Sequence, residues 1–266
     1  MIRNILLTIE YDGTDFSGWQ IQPSDRTVQG EIGRVLKVIC GTDVKVNGTS
    51  RTDAGVHALG QQASFEADLK GLPPEKLAYV MNNLLAPDVK IREAKVCPPE
   101  FHARFSAVGK KYIYKIMNCA SRDVFRRNFY YFCERPLDAE KMREAAGKLV
   151  GSHDFRSFMA MGSTPQETTV RELYSYDVEW RDLPEMGENA REITLTVTGN
   201  GFLYNMVRIM TGTLVEAGLG RIAPEDIPGI LQSGDRSRAG HTAPPQGLCL
   251  MKIDLYPEGY PSGLWD

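Results

Sequence analysis

The sequence predicts an α+β protein made of two β-α-β-β-α-β halves, residues 1–100 and 101–266. Two observations carry this. Short runs in which apolar side chains alternate, the pattern of a half-buried strand, are interleaved with longer runs of period 3.6, the pattern of an amphipathic helix. From residue 104 the order of these signals starts again, so each half reads as a split β-α-β unit of the ferredoxin-like or RRM-like kind. The halves share no obvious sequence identity, and the duplication rests on element order alone. Two such sheets joined edge to edge give one extended, mostly antiparallel sheet with helices packed behind it and a central cleft.

Taken in order, residues 4–11 alternate as a strand. Thr27 is placed as a helix N-cap, its hydroxyl offered to an orphan backbone N–H; Val28, Ile32, Val35, Leu36 and Ile39 then share a face until Gly41 ends the helix. Strands follow near 43–48 and 60–66. Pro73 and Pro74 open a second helix through Leu77, Val80, Met81 and Leu84, and 89–96 reads as strand. In the second half RFSAVGKKYIYKIM, residues 104–117, is a long strand and FYYF, residues 129–132, a short extended stretch. Asp138 caps a helix carrying Met142, Ala145, Ala146, Leu149 and Val150, with Leu137 positioned to staple Met142. Strands at 169–180 and 192–198 precede a helix over 202–217, set by the spacing of Leu203, Met206, Val207, Met210 and Leu214. A short helix begins at Pro224. LCLMKIDLY closes the chain's regular structure as a strand with Cys249, Met251, Ile253 and Leu255 on one side.

Composition narrows the class. Hydrophobic residues at 42% and charged residues at 24% are those of a globular protein and exclude disorder. The N-terminal MIRNILLTIEYDG alternates and carries Glu10 and Asp12, unlike the unbroken apolar centre of a signal peptide, and no apolar run is long enough to cross a bilayer. The expectation is a cytoplasmic protein. Five scattered cysteines (Cys40, Cys97, Cys119, Cys133, Cys249) without a C-x-x-C pair predict neither a disulfide framework nor a zinc cage. Net charge is −3, yet residues 101–130 hold seven Lys or Arg against Asp123 alone, so that window is +6 and the remainder −9. A basic face on an acidic body suits a polyanion; a solvated strand and loop would give the same count.

Four stretches could carry chemistry. In GTSRTDAGVHALGQ, residues 48–61, Arg51 and Asp53 project to one side if the backbone is extended, and the guanidinium then favours the ionised carboxylate, as a nucleophile or charge stabiliser needs. An Asx-turn is the plainer reading of the same aspartate. Four residues on, His57 has the spacing of a helical metal pair, but Gly55 and the flanking strands argue against a helix, which leaves it to hold the loop by hydrogen bonds. KKYIYK puts Tyr112 and Tyr114 on one strand face and Lys111, Ile113 and Lys115 on the other, a pattern fit for base stacking and phosphate contact, or for an ordinary core. Arg208 is the sole charge over residues 200–215 and must reach water, a carboxylate or a ligand anion. APPQGLCL enters the last strand through a stiff Pro-Pro approach that either aims Leu248 into a pocket or simply starts the strand.

Together these segments resemble the tRNA pseudouridine synthase A family. The match runs from IEYDGTDFSGWQ through VQGEI, SRTDAGVHALGQ, FHARFSAVGKKYIYKI, GSHDFRSF, TTVRELYSYDVEW and GNGFLYNMVRIMTGTLVEAG to APPQGLCL, nearly the whole chain, and its RTDAGVH core is highly specific. Ser50 departs from the Gly that members often carry before the Arg; this alters the approach to the loop and leaves the carboxylate in place.

The resemblance implies isomerisation of uridine to pseudouridine at tRNA positions 38, 39 and 40 in the anticodon stem-loop, with no cofactor, no metal and no membrane. It implies Asp53 as the catalytic carboxylate, acting at ribose C1′, at uracil C6 or through a glycal. Arg51 matches the residue that takes the space of the flipped base, Arg208 the partner that keeps the carboxylate charged, Tyr112 the side chain packed on the target base, and Leu248 the pocket wall. Lys110, Lys111, Arg122, Arg126 and Arg127 would meet phosphates, and a homodimer would bind the tRNA across both subunits. The rivals are a non-catalytic RNA-binding module or chaperone on the same scaffold, and a small-molecule hydrolase or transferase using Asp53.

Overall fold

In the computed structural model, which describes residues 1–162 and 167–256, contacts divide the chain into two units. One is Met1–Gly109 with the chain from Leu250 onward, and the other is Lys110–Cys249. The last strand, expected with the second half, therefore belongs largely to the first.

The first unit follows β-α-β-β-α-β: β1 (Ile2–Tyr11), α1 (Val28–Cys40), β2 (Asn47–Gly48), β3 (His57–Asp68), α2 (Pro74–Asn82) and β4 (Val89–Cys97), then a single turn of helix, α3 (Ala103–Ser106). Its sheet runs β4-β1-β3 and then the closing strand Leu248–Leu255, with β2 on β3. β1 is antiparallel to both neighbours, with Ile5 opposite Phe65 and Val96, and its odd positions Ile5, Leu7 and Ile9 are fully buried. One face of the sheet is thus core. Thr27 caps α1 by accepting from Gly30 N at 3.2 Å, and Gly41 ends it at φ 73°, where a side chain is disfavoured. Asn82 ties α2 to β4, its amide donating to Ile91 O at 2.9 Å and accepting from Ile91 N at 2.7 Å.

The second unit contains β5 (Ala107–Asn118) from Lys110 onward, β6 (Tyr131–Cys133), α4 (Ala139–Gly147), β7 (Gly151–Asp154), β8 (Val170–Asp182), β9 (Arg191–Gly199), α5 (Met206–Gly218), α6 (Ile227–Ser233) and the first residues of β10, the closing strand. Its sheet runs β5-β9-β8-β7, antiparallel throughout, with β6 parallel to β5. Buried Asn118 fixes the β6–α4 link: its amide donates to Cys133 O and Arg135 O at 2.8 Å and accepts from Leu137 N at 3.0 Å. Asp138 caps α4 as expected, accepting from Glu140 N and Lys141 N at 3.1 Å.

Several elements differ from the sequence reading, α5 among them, which starts at Met206 where 202 was expected. Only Asn47–Gly48 of 43–48 finds a ladder partner. Residues 103–106, expected as strand from 104, are helical because His102 accepts from Arg104 N and Ser106 Oγ donates back to His102 O. β7 is an added strand. In the closing strand Leu248 and Leu250 are buried on one face and Ile253 on the other, so it is covered on both sides, unlike the single apolar side expected. No helix among the described residues is long and apolar enough to cross a membrane.

Candidate active site

The Asp53 loop is built by backbone from the segment after β1. Trp19 N donates to Thr52 O at 3.0 Å and Gly55 N to Phe16 O at 3.2 Å, while Val56 N closes a turn onto Asp53 O at 3.1 Å with Gly55 at φ 78°. Two glycines make this approach possible. A Cβ on Gly13 would lie 2.0 Å from Val56 O, and one on Gly18, already at φ +89°, would lie 2.7 Å from Thr52 O. Tyr11 OH and Thr52 Oγ1 share a buried hydrogen bond of 2.7 Å, which turns Thr52 inward and leaves Arg51 exposed and Asp53 half-buried on either side of it. That is the alternation expected of an extended stretch. Behind the loop, buried Gln61 donates to Ser50 O at 2.8 Å, and the Trp19 indole lies so close to Gly48 that a Cβ there would meet its Nε1 at 2.3 Å.

His57 holds this cradle. Its Nδ1 accepts from Gly13 N at 3.0 Å, and Asp12 Oδ1 lies 3.1 Å from the same nitrogen. A ring nitrogen occupied in this way serves loop shape, the non-metal reading. Among the described residues no group of three or more His, Cys, Asp or Glu could hold a metal ion.

In the second unit Tyr112 is buried on β5 with its ring edge-on to Phe202, centroids 5.2 Å apart. Two residues on, Tyr114 donates to Pro244 O at 2.6 Å, and burial holds its phenol well above the ordinary tyrosine range despite the Arg208 guanidinium nearby. It is a neutral donor. Gly247 lets that ring in, since a Cβ there would stand 2.6 Å from Tyr114 Cε1. Arg208 projects from the first turn of α5; its Nε donates to Ala243 O at 2.8 Å and its Nη1 to Asn205 Oδ1 at 2.7 Å, while Ala243 N donates back to Arg208 O at 3.1 Å. The 240–243 segment can lie this close because Gly212 and Gly240 carry no Cβ: one on Gly212 would meet His241 O at 1.8 Å. Leu248, next after Gly247, is 5% exposed. Arg208, Tyr114 and the Pro-Pro segment are therefore one hydrogen-bonded assembly, with Tyr112 on the same strand as Tyr114.

The basic residues fall into two groups. Lys110 and Lys111 are half-buried on β5 opposite Gly199 and Thr198. Arg122, Arg126 and Arg127 lie in or beside the turn Val124–Arg126, where Asp123 sits 3.3 Å from Arg126 and Glu134 3.8 Å from Arg122. Their charge is partly offset. Sequence reasoning missed Tyr11, Gly13, Phe16, Gly18 and Asn205 as builders of these loops; the only signal was the density of Gly beside aromatic residues in IEYDGTDFSGWQ and GNGFLYNM.

A family model described as tRNA pseudouridine synthase matches residues 7–106 and 145–256, which take in the cradle, the Asp53 loop, α5 and the Pro-Pro segment. The chain belongs to the tRNA pseudouridine synthase family. It is 47% identical over 252 residues to tRNA pseudouridine synthase A of Ruminiclostridium cellulolyticum, covering 95% of this chain and 99% of that one. It is 43% identical to the protein of that name from Thermoanaerobacter sp., with 95% and 99% coverage. For Bacillus velezensis tRNA pseudouridine synthase A the identity is 44%, with 92% and 96% coverage. The family match spans both the half-buried aspartate with its backbone cradle and the arginine assembly of α5.

Proposed function

We propose that this chain converts uridine to pseudouridine in tRNA, at positions 38, 39 and 40 of the anticodon stem-loop, as a cytoplasmic homodimer needing no cofactor. The observation that carries the reading is the Asp53 loop: a half-buried carboxylate on a turn fixed by main-chain bonds, inside the stretch matched by the family. Such fixing matters because a carboxylate that must meet one carbon of an extruded nucleoside loses rate steeply with misplacement. The N1–C1′ bond breaks, the uracil turns, and a C5–C1′ bond forms; C5 releases its proton and N1 regains one. Nothing is oxidised or reduced.

In this reading Asp53 acts at C1′, at C6 or through a glycal. Arg208 keeps it ionised, Tyr112 packs on the flipped base, Leu248 walls the pocket, and Arg51 takes the place left in the stem, offsetting the few kcal/mol that extrusion costs. Lys110, Lys111, Arg122, Arg126 and Arg127 bind phosphates. Incubating the protein with tRNA transcripts and mapping pseudouridine tests the proposal. Modification confined to 38–40 is expected; tRNA bound tightly yet left unmodified would favour the non-catalytic RNA-binding module.

A further inference from the structure

Asn205 stands at the entrance to α5 with φ 58°, the left-handed conformation that most L side chains avoid and asparagine adopts more readily than they do. Of the three described non-glycine residues with positive φ, the others, Lys70 and Asn189, lie at exposed turns. Asn205 is half-buried, and its carboxamide makes no capping bond to the helix it precedes. A glycine would fill this backbone position without penalty. What glycine lacks is the side-chain oxygen, which accepts from Arg208 Nη1 at 2.7 Å while Arg208 Nε donates to Ala243 O at 2.8 Å. These two bonds grip the guanidinium at different nitrogens. One such bond leaves the planar group free to swing about it; two set its plane and aim.

We infer that Asn205 is a positioning residue for the reaction, retained in a disfavoured backbone conformation because its carboxamide oxygen orients Arg208. This rests on the role proposed above for Arg208. The neutral Asn205 acceptor orients the guanidinium without offsetting its charge, whereas a carboxylate at 205 would partly cancel it. The helix start is also explained: the left-handed residue stops α5 from extending back to 202, and the side chain one turn into the helix, Arg208, comes to lie beside it.

The discriminating variant is Asn205→Gly, which tolerates the left-handed backbone and deletes the carboxamide with its acceptor oxygen. For wild type and variant we would measure kcat and KM with tRNA, the melting temperature, and the NMR signals of the Arg208 Nη groups in the free protein. The expected result is a kcat lower by about tenfold to a hundredfold, as for a misaimed catalytic group. KM and melting temperature should be unchanged or nearly so, and Nη signals resolved in wild type should collapse through faster rotation. Wild-type kcat with unchanged Nη signals would overturn the inference, as would a loss of activity tracking a loss of stability. The NMR arm reads Arg208 directly, so a wild-type protein that makes no pseudouridine would refute the functional reading while the positioning contact is still judged.

Discussion

Gly13 and Gly18 decide where Asp53 sits, although neither is near it in sequence. Gly13→Ala would press a methyl group into the Val56 carbonyl, and backbone cannot yield as a side-chain end can. The expected cost is about 1–3 kcal/mol in urea unfolding and a fall in turnover of about a hundredfold through displacement of the loop. The shared side of Arg51 and Asp53 was legible in the sequence, but the segment that braces their loop was hidden, because backbone contact leaves no mark on side-chain pattern. Tyr114 was read as a neighbour of Tyr112 and proves a buried donor. Burial raises its phenol, and that of Tyr176, above the unfolded value near 10. A raised pKa stabilises the fold fully below that value and progressively less as pH climbs through the folded one. Wild-type unfolding free energy should therefore drop above about pH 10, and Tyr114→Phe should drop less. At neutral pH the same variant costs about 1–3 kcal/mol by leaving Pro244 O unpaired.

Elements whose ends are marked by local chemistry were legible. Thr27 and Gly41 bound α1 and Asp138 opens α4, because capping is decided within a few residues. Thr27→Ala should cost about 1 kcal/mol in urea unfolding and leave turnover unchanged, since α1 supplies no proposed site residue. Elements set by distant partners were not legible. Gly151–Asp154 has no apolar alternation and is a strand only because β8 pairs with it. The alternation of 43–46 found no partner to pair with. The period of Leu203 with Met206 and Met210 extended α5 backward past Asn205, whose left-handed backbone stops it. In α5 every residue but Arg208 and Glu216 is buried, so apolar spacing could not say which face mattered, and the isolated charge could.

At the scale of the molecule, α+β character and the β-α-β-β-α-β order were readable, whereas the assignment of the last strand to the first unit was not, because order along the chain does not specify sheet neighbours. The basic window was visible as a count that included Asp123, but the pairing of Asp123 with Arg126 and of Glu134 with Arg122 emerges only from the folded turn. If the surface binds tRNA, affinity falls with salt, and the log–log slope should shrink by about 0.7–0.9 for each phosphate contact removed. Lys111→Ala and Arg127→Ala should each show that decrement in filter binding, and Arg126→Ala less, because Asp123 already offsets it. The central claim is that Asp53 performs the chemistry while the rest of the site receives the RNA. It is tested most directly by tritium release from tRNA carrying 5-tritiated uridine, with wild type beside Asp53→Asn and tRNA affinity measured for both. The account predicts release by wild type, none detectable from the variant, and tRNA affinities that agree within about twofold, as an isosteric change predicts. Equal release by the two proteins would contradict it.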